Sequence, residues 1–112
     1  MVTYGIVKHI DKNKTGLYIR GHANYVKKGP DIVCAAVSAI GQTAGLGVER
    51  FDSTAELKRN QNGYWMFVCD STAETRAIIV TAIAALDVLR EQYPQCFAEP
   101  DEYTQNVLAR KE

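Results

Sequence analysis

The sequence predicts an α+β fold: a two-layer sandwich in which a four-stranded, mainly antiparallel sheet is covered by two helices, in the order ββαββα. Three observations predict it. Two pairs of short apolar segments each flank turn chemistry, one small-residue run repeats its valines at helical spacing, and a longer helical run opens on a cap and closes on a proline.

Val2, Tyr4, Ile6 and Ile10 fall on alternate positions, which predicts a strand over residues 2–10. Residues 11–16 (Asp-Lys-Asn-Lys-Thr-Gly) carry turn chemistry, and residues 17–20 read as the returning strand. Residues 21–30 lack periodicity, end in Gly29-Pro30 and read as a loop. Asp31 is placed to cap a helix in which Val33, Val37, Ile40 and Ala44 recur, with Gly45 and Gly47 suited to ending it. Residues 49–58 and 63–69 flank Asn60-Gln61-Asn62-Gly63 and predict a second hairpin. Trp65, Phe67 and Cys69 share one face of its second strand. Ser71 and Glu74 have capping-box spacing before a helix over residues 72–93, with Ile79, Ala82, Ile83, Leu86, Leu89 and Tyr93 on one stripe and Pro94 as its stop. Ile78, Val80 and Val88 widen that stripe beyond what a sheet face needs, as a subunit interface would.

The chain has 112 residues, enough for one domain with its own core. The expected organisation is a single α+β catalytic domain over residues 1–93 and a C-terminal tail over residues 94–112, with a short helix after Pro100. Lys and Arg number 13 against 13 Asp and Glu, and this balance argues against a direct nucleic-acid partner. The longest uncharged stretch, residues 32–48, is too short and too polar to be read as a membrane span. Lys8, His9, Asp11, Lys12 and Lys14 break any secretory core, so the expected location is cytoplasmic with no membrane partner. Three widely spaced cysteines, Cys34, Cys69 and Cys96, read as free thiols.

Chemistry concentrates in Gly21-His22-Ala23-Asn24-Tyr25 and in Gly29-Pro30-Asp31-Ile32-Val33-Cys34-Ala35-Ala36-Val37-Ser38. Cys34 falls in the first turn of a helix, where unpaired amides and the positive helix end favour a thiolate. His22, at a strand end across the loop, is placed to take the thiol proton, and the same amides are candidates to stabilise an oxyanion. By spacing alone, a packing cysteine and a satisfied histidine are the commoner reading.

Both segments resemble the signature of the ribosomal-processing cysteine protease family, Prp. The resemblance is strongest over residues 2–44 and consistent in element order to Tyr93. It implies a cofactor-free, metal-free homodimeric endopeptidase that removes a short N-terminal extension from a large-subunit ribosomal protein, the twenty-seventh in the usual naming. It places Cys34 as nucleophile and His22 as general base. It also suggests a cut between an aromatic and a small residue. Pro30 stands where the family more often has a charged or polar residue, and stiffens the loop before the helix.

Asp31 has two readings, helix cap or orienter of His22; Ser38 also has two, a bond to the carbonyl one turn back or polarisation of the site. Ala23, Asn24, Tyr25 and Gly29 form a candidate substrate loop, a lid hinged at Gly29. His9 reads as a surface residue, Cys69 as core, and Cys96 as an exposed tail thiol. Zinc ligation by these groups would need unusual spacing. Two other readings compete with a peptidase: a non-catalytic dimeric module that binds a ribosome-associated partner, and a redox-sensing thiol without a resolving cysteine nearby in sequence.

Overall fold

A computed structural model describes residues 1–9, 12–22, 31–60 and 64–99. The elements are β1 (Thr3–His9), β2 (Lys14–Arg20), α1 (Ile32–Phe51), β3 (Glu56–Asn60), β4 (Tyr64–Asp70) and α2 (Ala73–Gln92), followed by a 3-10 turn, Pro94–Cys96. The strands form one sheet in the order β1-β2-β4-β3, with every neighbouring pair antiparallel. The ββαββα order is therefore the one expected. The expected substrate loop, the two hairpin tips at residues 10–11 and 61–63, the His9 side chain and the tail from Pro100 lie outside the described residues.

Register puts Tyr4, Ile19 and Trp65 in one row and Ile6, Leu17 and Phe67 in the next, all on the helix-covered face. Leu17, Phe67, Ile79, Ile83 and Leu86 are fully buried, each contributing about 1.5–3 kcal/mol through removal of apolar surface from water. β2 begins at Lys14, earlier than the turn chemistry predicts. Asn13, at φ 52°, makes the turn instead. Gly16 lies within the strand, at a position where a Cβ would come within 2.0 Å of the Phe67 carbonyl oxygen.

The second departure is α1, which runs through Gly45 and Gly47 to Phe51, so residues 49–51 are helical and β3 starts at Glu56. These glycines serve packing instead of ending the helix: a Cβ on Gly45 would come within 3.3 Å of the Trp65 ring, and one on Gly47 within 3.5 Å of Ile78. α1 has the length and apolar composition of a membrane span, yet Val33, Val37, Gly41, Ala44 and Val48 form the face it buries on the domain core. At α2 the capping box moves from Ser71 and Glu74 to Thr72 and Thr75. Thr72 Oγ1 accepts from the Thr75 N–H at 3.1 Å, and Thr75 Oγ1 accepts from the Thr72 N–H at 2.9 Å. Thr75 is fully buried and its hydroxyl also donates to the Asp70 carbonyl at 2.7 Å, a bond an exposed Glu74 would not make. Ile78 packs against α1, while Val80 and Val88 stay exposed.

Cys96, expected to be exposed, is buried, as is Phe97. The Val2 N–H donates to the Cys96 carbonyl and the Ala98 N–H to the Val2 carbonyl, both at 2.9 Å, so the segment after α2 is sewn to the start of β1. The Tyr4 hydroxyl donates to Asp87 on α2, and its ring meets Phe97 edge-on, which fastens α2 to the same strand.

Asp52 ties the far end of α1 to β4. Its carboxylate accepts from the Thr54 hydroxyl at 2.5 Å, the Asp70 N–H at 2.7 Å and the Thr54 N–H at 2.9 Å. These bonds, the Thr54 hydroxyl foremost, hold its carboxyl below the ordinary carboxylate range. A depressed folded pKa adds stability that is present above the unfolded carboxylate pKa of about 4 and lost as pH falls through the folded value. Asp52→Asn is expected to destabilise the fold by about 1–2 kcal/mol at neutral pH, with the difference closing in acid. Urea unfolding of both proteins across that range checks it.

Candidate active site

Asp31 is the N-cap of α1, and its Oδ1 accepts from the Val33 N–H at 3.0 Å and the Cys34 N–H at 3.1 Å. The Ala35 N–H bonds to the Asp31 carbonyl at 3.0 Å. The capping half of the Asp31 reading is thus realised, and it fixes the backbone of Cys34 directly. It also changes one expectation. The Val33 and Cys34 amides are already engaged by a carboxylate, so an oxyanion would have to displace Asp31 from them or find its donors elsewhere.

Cys34 is half-buried in the first turn of α1 and packs against the core. Ser38 is exposed one turn on.

His22 leaves β2 through Gly21, which has φ 92° and stands where a Cβ would meet the Met1 carbonyl oxygen at 2.1 Å. Only glycine fits both requirements, so the exit of the chain from β2 is fixed and exposed His22 follows directly. Burial pushes the Cys96 thiol up, and the nearby charges of Asp31 and Cys34 push it further, against the N-terminal amine. The Val2 N–H bond to the Cys96 carbonyl sets Cys96 beside the start of the chain, and the Met1 carbonyl abuts Gly21, the residue before His22. Residues 23–30, which join His22 to the Asp31 cap, are outside the described set, including Ala23, Asn24, Tyr25 and Gly29.

Burial also pushes up the Cys69 thiol, partly offset by its bond to the Thr75 hydroxyl. Cys69 and Cys96 are thus poor nucleophiles by burial and by protonation. Among the described residues no group of three His, Cys, Asp or Glu side chains is gathered as a metal would require. Sequence reasoning missed that Cys96 is buried. It also missed a cavity of about 180 Å³ between α1 and β3, lined by Trp65 and Leu57. The signals were there in the apolar Cys96-Phe97 pair after the helix stop and in a lone leucine on a charged strand.

The model of the family described as cysteine protease Prp matches residues 1–98. No curated protein matches the chain. Among solved structures, the ribosomal processing protease Prp from S. aureus with a covalently linked product peptide aligns at TM-score 0.75 and 24% identity, covering 89% of this chain and 98% of that one. The same protease with a substrate peptide gives 0.68 and 23%, over 88% and 96%. SMU.848 from Streptococcus mutans gives 0.68 and 21%, over 89% and 92%.

Iodoacetamide near neutral pH is expected to label Cys34 in the folded protein and to reach Cys69 and Cys96 only after unfolding. Peptide mapping by mass spectrometry reads this out, and equal labelling of all three thiols would contradict the site.

Proposed function

The chain belongs to the cysteine protease Prp family, and on that premise we propose that it is a cytoplasmic endopeptidase. Its substrate is a large-subunit ribosomal protein precursor, the twenty-seventh in the usual naming, whose short N-terminal extension it removes during ribosome maturation. The observation that carries the reading is the family match over residues 1–98, with Cys34 in the capped first turn of α1. The S. aureus relative with a covalently linked product peptide supports acyl transfer as the class of reaction.

The Cys34 thiolate attacks the scissile carbonyl carbon. His22, protonated by the thiol, gives its proton to the amine as the C–N bond breaks, leaving a thioester on Cys34. The neutral imidazole then takes a proton from water, which attacks the thioester and releases the extension as a carboxylic acid. The thiol is restored, and the sum is one water consumed per bond cut. No cofactor enters. Ala23, Asn24, Tyr25 and Gly29 are the residues that contact the peptide in this scheme. A second copy pairs through the apolar groove of about 530 Å³ between α1 and α2, where Ile40, Ile78 and Ala85 lie.

Incubated with the extended precursor, wild-type protein is expected to cut one bond. Cys34→Ala should abolish the cut, and His22→Ala should slow it about 10²–10⁴-fold, read by intact-mass spectrometry. An uncut precursor with folded wild type would overturn the assignment. Asp31→Asn keeps a good cap, so a large fall in kcat with unchanged melting would mean that Asp31 also positions His22; unchanged kcat would leave it a cap alone.

A further inference from the structure

Past Arg20, the end of β2 is flanked by the first residues of the chain. Antiparallel register pairs Thr3 with Arg20, and extending it sets Val2 beside Gly21 and Met1 beside His22. A Cβ on Gly21 would stand 2.1 Å from the Met1 carbonyl oxygen and 3.6 Å from the Val2 Cα, so the two segments are in close contact. Val2 is held in turn on its other side. It forms a parallel bridge with Phe97: its N–H donates to the Cys96 carbonyl and its carbonyl accepts from the Ala98 N–H, both at 2.9 Å. Phe97 is buried and meets the Tyr4 ring edge-on with 6.0 Å between centroids, which keeps the segment seated on β1. A run of backbone contacts thus leads from Ala98 through Val2 to Gly21, the residue before His22.

The first turn of α1 approaches from the same side. Gly41 packs on Ile19 and Trp65, and Gly45 on Trp65 and Phe67, so α1 enters the helix layer from the Arg20 side of that row and runs inward. Cys34 precedes Gly41 by seven residues, about 10 Å of helix. His22 is exposed, so its place depends on the backbone that carries it. Proton transfer between an imidazole and a thiol is sensitive to that place, since a misplacement of about 1 Å costs roughly 10²-fold in rate.

We propose that Phe97 and Ala98 are positioning residues for the peptidase reaction: by clamping Val2 against the end of β2 they hold the His22 backbone where the imidazole serves Cys34. The inference rests on the peptidase reading and adds to it a segment from the other end of the chain. Ala98 carries only a methyl group, so its contribution passes through its N–H.

Ala98→Pro tests this, because proline removes the N–H that donates to the Val2 carbonyl and keeps a small apolar side chain. Phe97 already has the extended backbone, φ −120° and ψ 139°, that a residue before proline requires. With the extended precursor as substrate, the variant is expected to lose about tenfold in kcat while KM stays within about twofold. Made in His22→Ala protein, the same change should alter the residual rate by less than about twofold, because a clamp that acts through His22 then has nothing to position. The same cycle read as the rate of Cys34 alkylation by iodoacetamide needs no peptide. Asp52→Asn loosens the far end of α1 and should keep kcat, which separates positioning from a general loss of stability. If Ala98→Pro does not fold, Phe97→Leu, which stays apolar and drops the ring contact with Tyr4, should show the same cycle in smaller measure.

An unchanged kcat, an equal loss with and without His22, or an equal loss in Asp52→Asn overturns the proposal. If wild type leaves the precursor whole while the alkylation cycle keeps its dependence on His22, the substrate reading falls and the positioning stands. If wild type cuts and the cycle shows no such dependence, the peptidase reading stands and the positioning falls.

Discussion

The structure depends on the way its first two residues are clamped. Val2 exchanges two backbone hydrogen bonds with the segment after α2, and the Met1 carbonyl presses on Gly21 at the end of β2. Two segments more than seventy residues apart in sequence are thereby held to one point at the end of the sheet. Cys96 is buried there, and His22 is the next residue after Gly21. Backbone atoms do this work, so side-chain changes elsewhere leave the geometry in place, while a Cβ at Gly21 would break it.

A second constraint acts on Cys34. The Asp31 carboxylate satisfies orphan amides of α1, and one of these belongs to Cys34 itself. The cap sets the orientation of the first turn and also occupies donors that an oxyanion would otherwise use. Cys34 is half-buried, whereas Cys69 and Cys96 are buried. The exposure of each thiol thus follows from where it sits in one fold: at a helix start, in a central strand or in a turn.

Much of this was legible in the sequence. Period-two and period-3.6 patterns gave the six main elements. Asp31 three residues before Cys34, with Gly21-His22 at a strand end, marked the candidate site and carried the family resemblance. The misread features are those decided by contacts distant in sequence. Gly45 and Gly47 look like helix terminators until Trp65 and Ile78 are seen to need their missing side chains. Ser71 and Glu74 have the spacing of a capping box, but the buried bond from Thr75 to the Asp70 carbonyl moves the box by one residue. Cys96 looks like part of a polar tail because only the short apolar pair Cys96-Phe97 marks it, while its backbone bonds to Val2 leave no trace in the sequence.

The central claim is that His22 and Cys34 act as one pair at this end of the domain. It is tested most directly by a crystal structure of the chain inactivated with a peptide aldehyde. The account predicts a thiohemiacetal on Cys34 Sγ with the His22 imidazole within roughly 4 Å of the reacting atoms. An adduct on another residue, or an imidazole turned away from an adduct on Cys34, would contradict it.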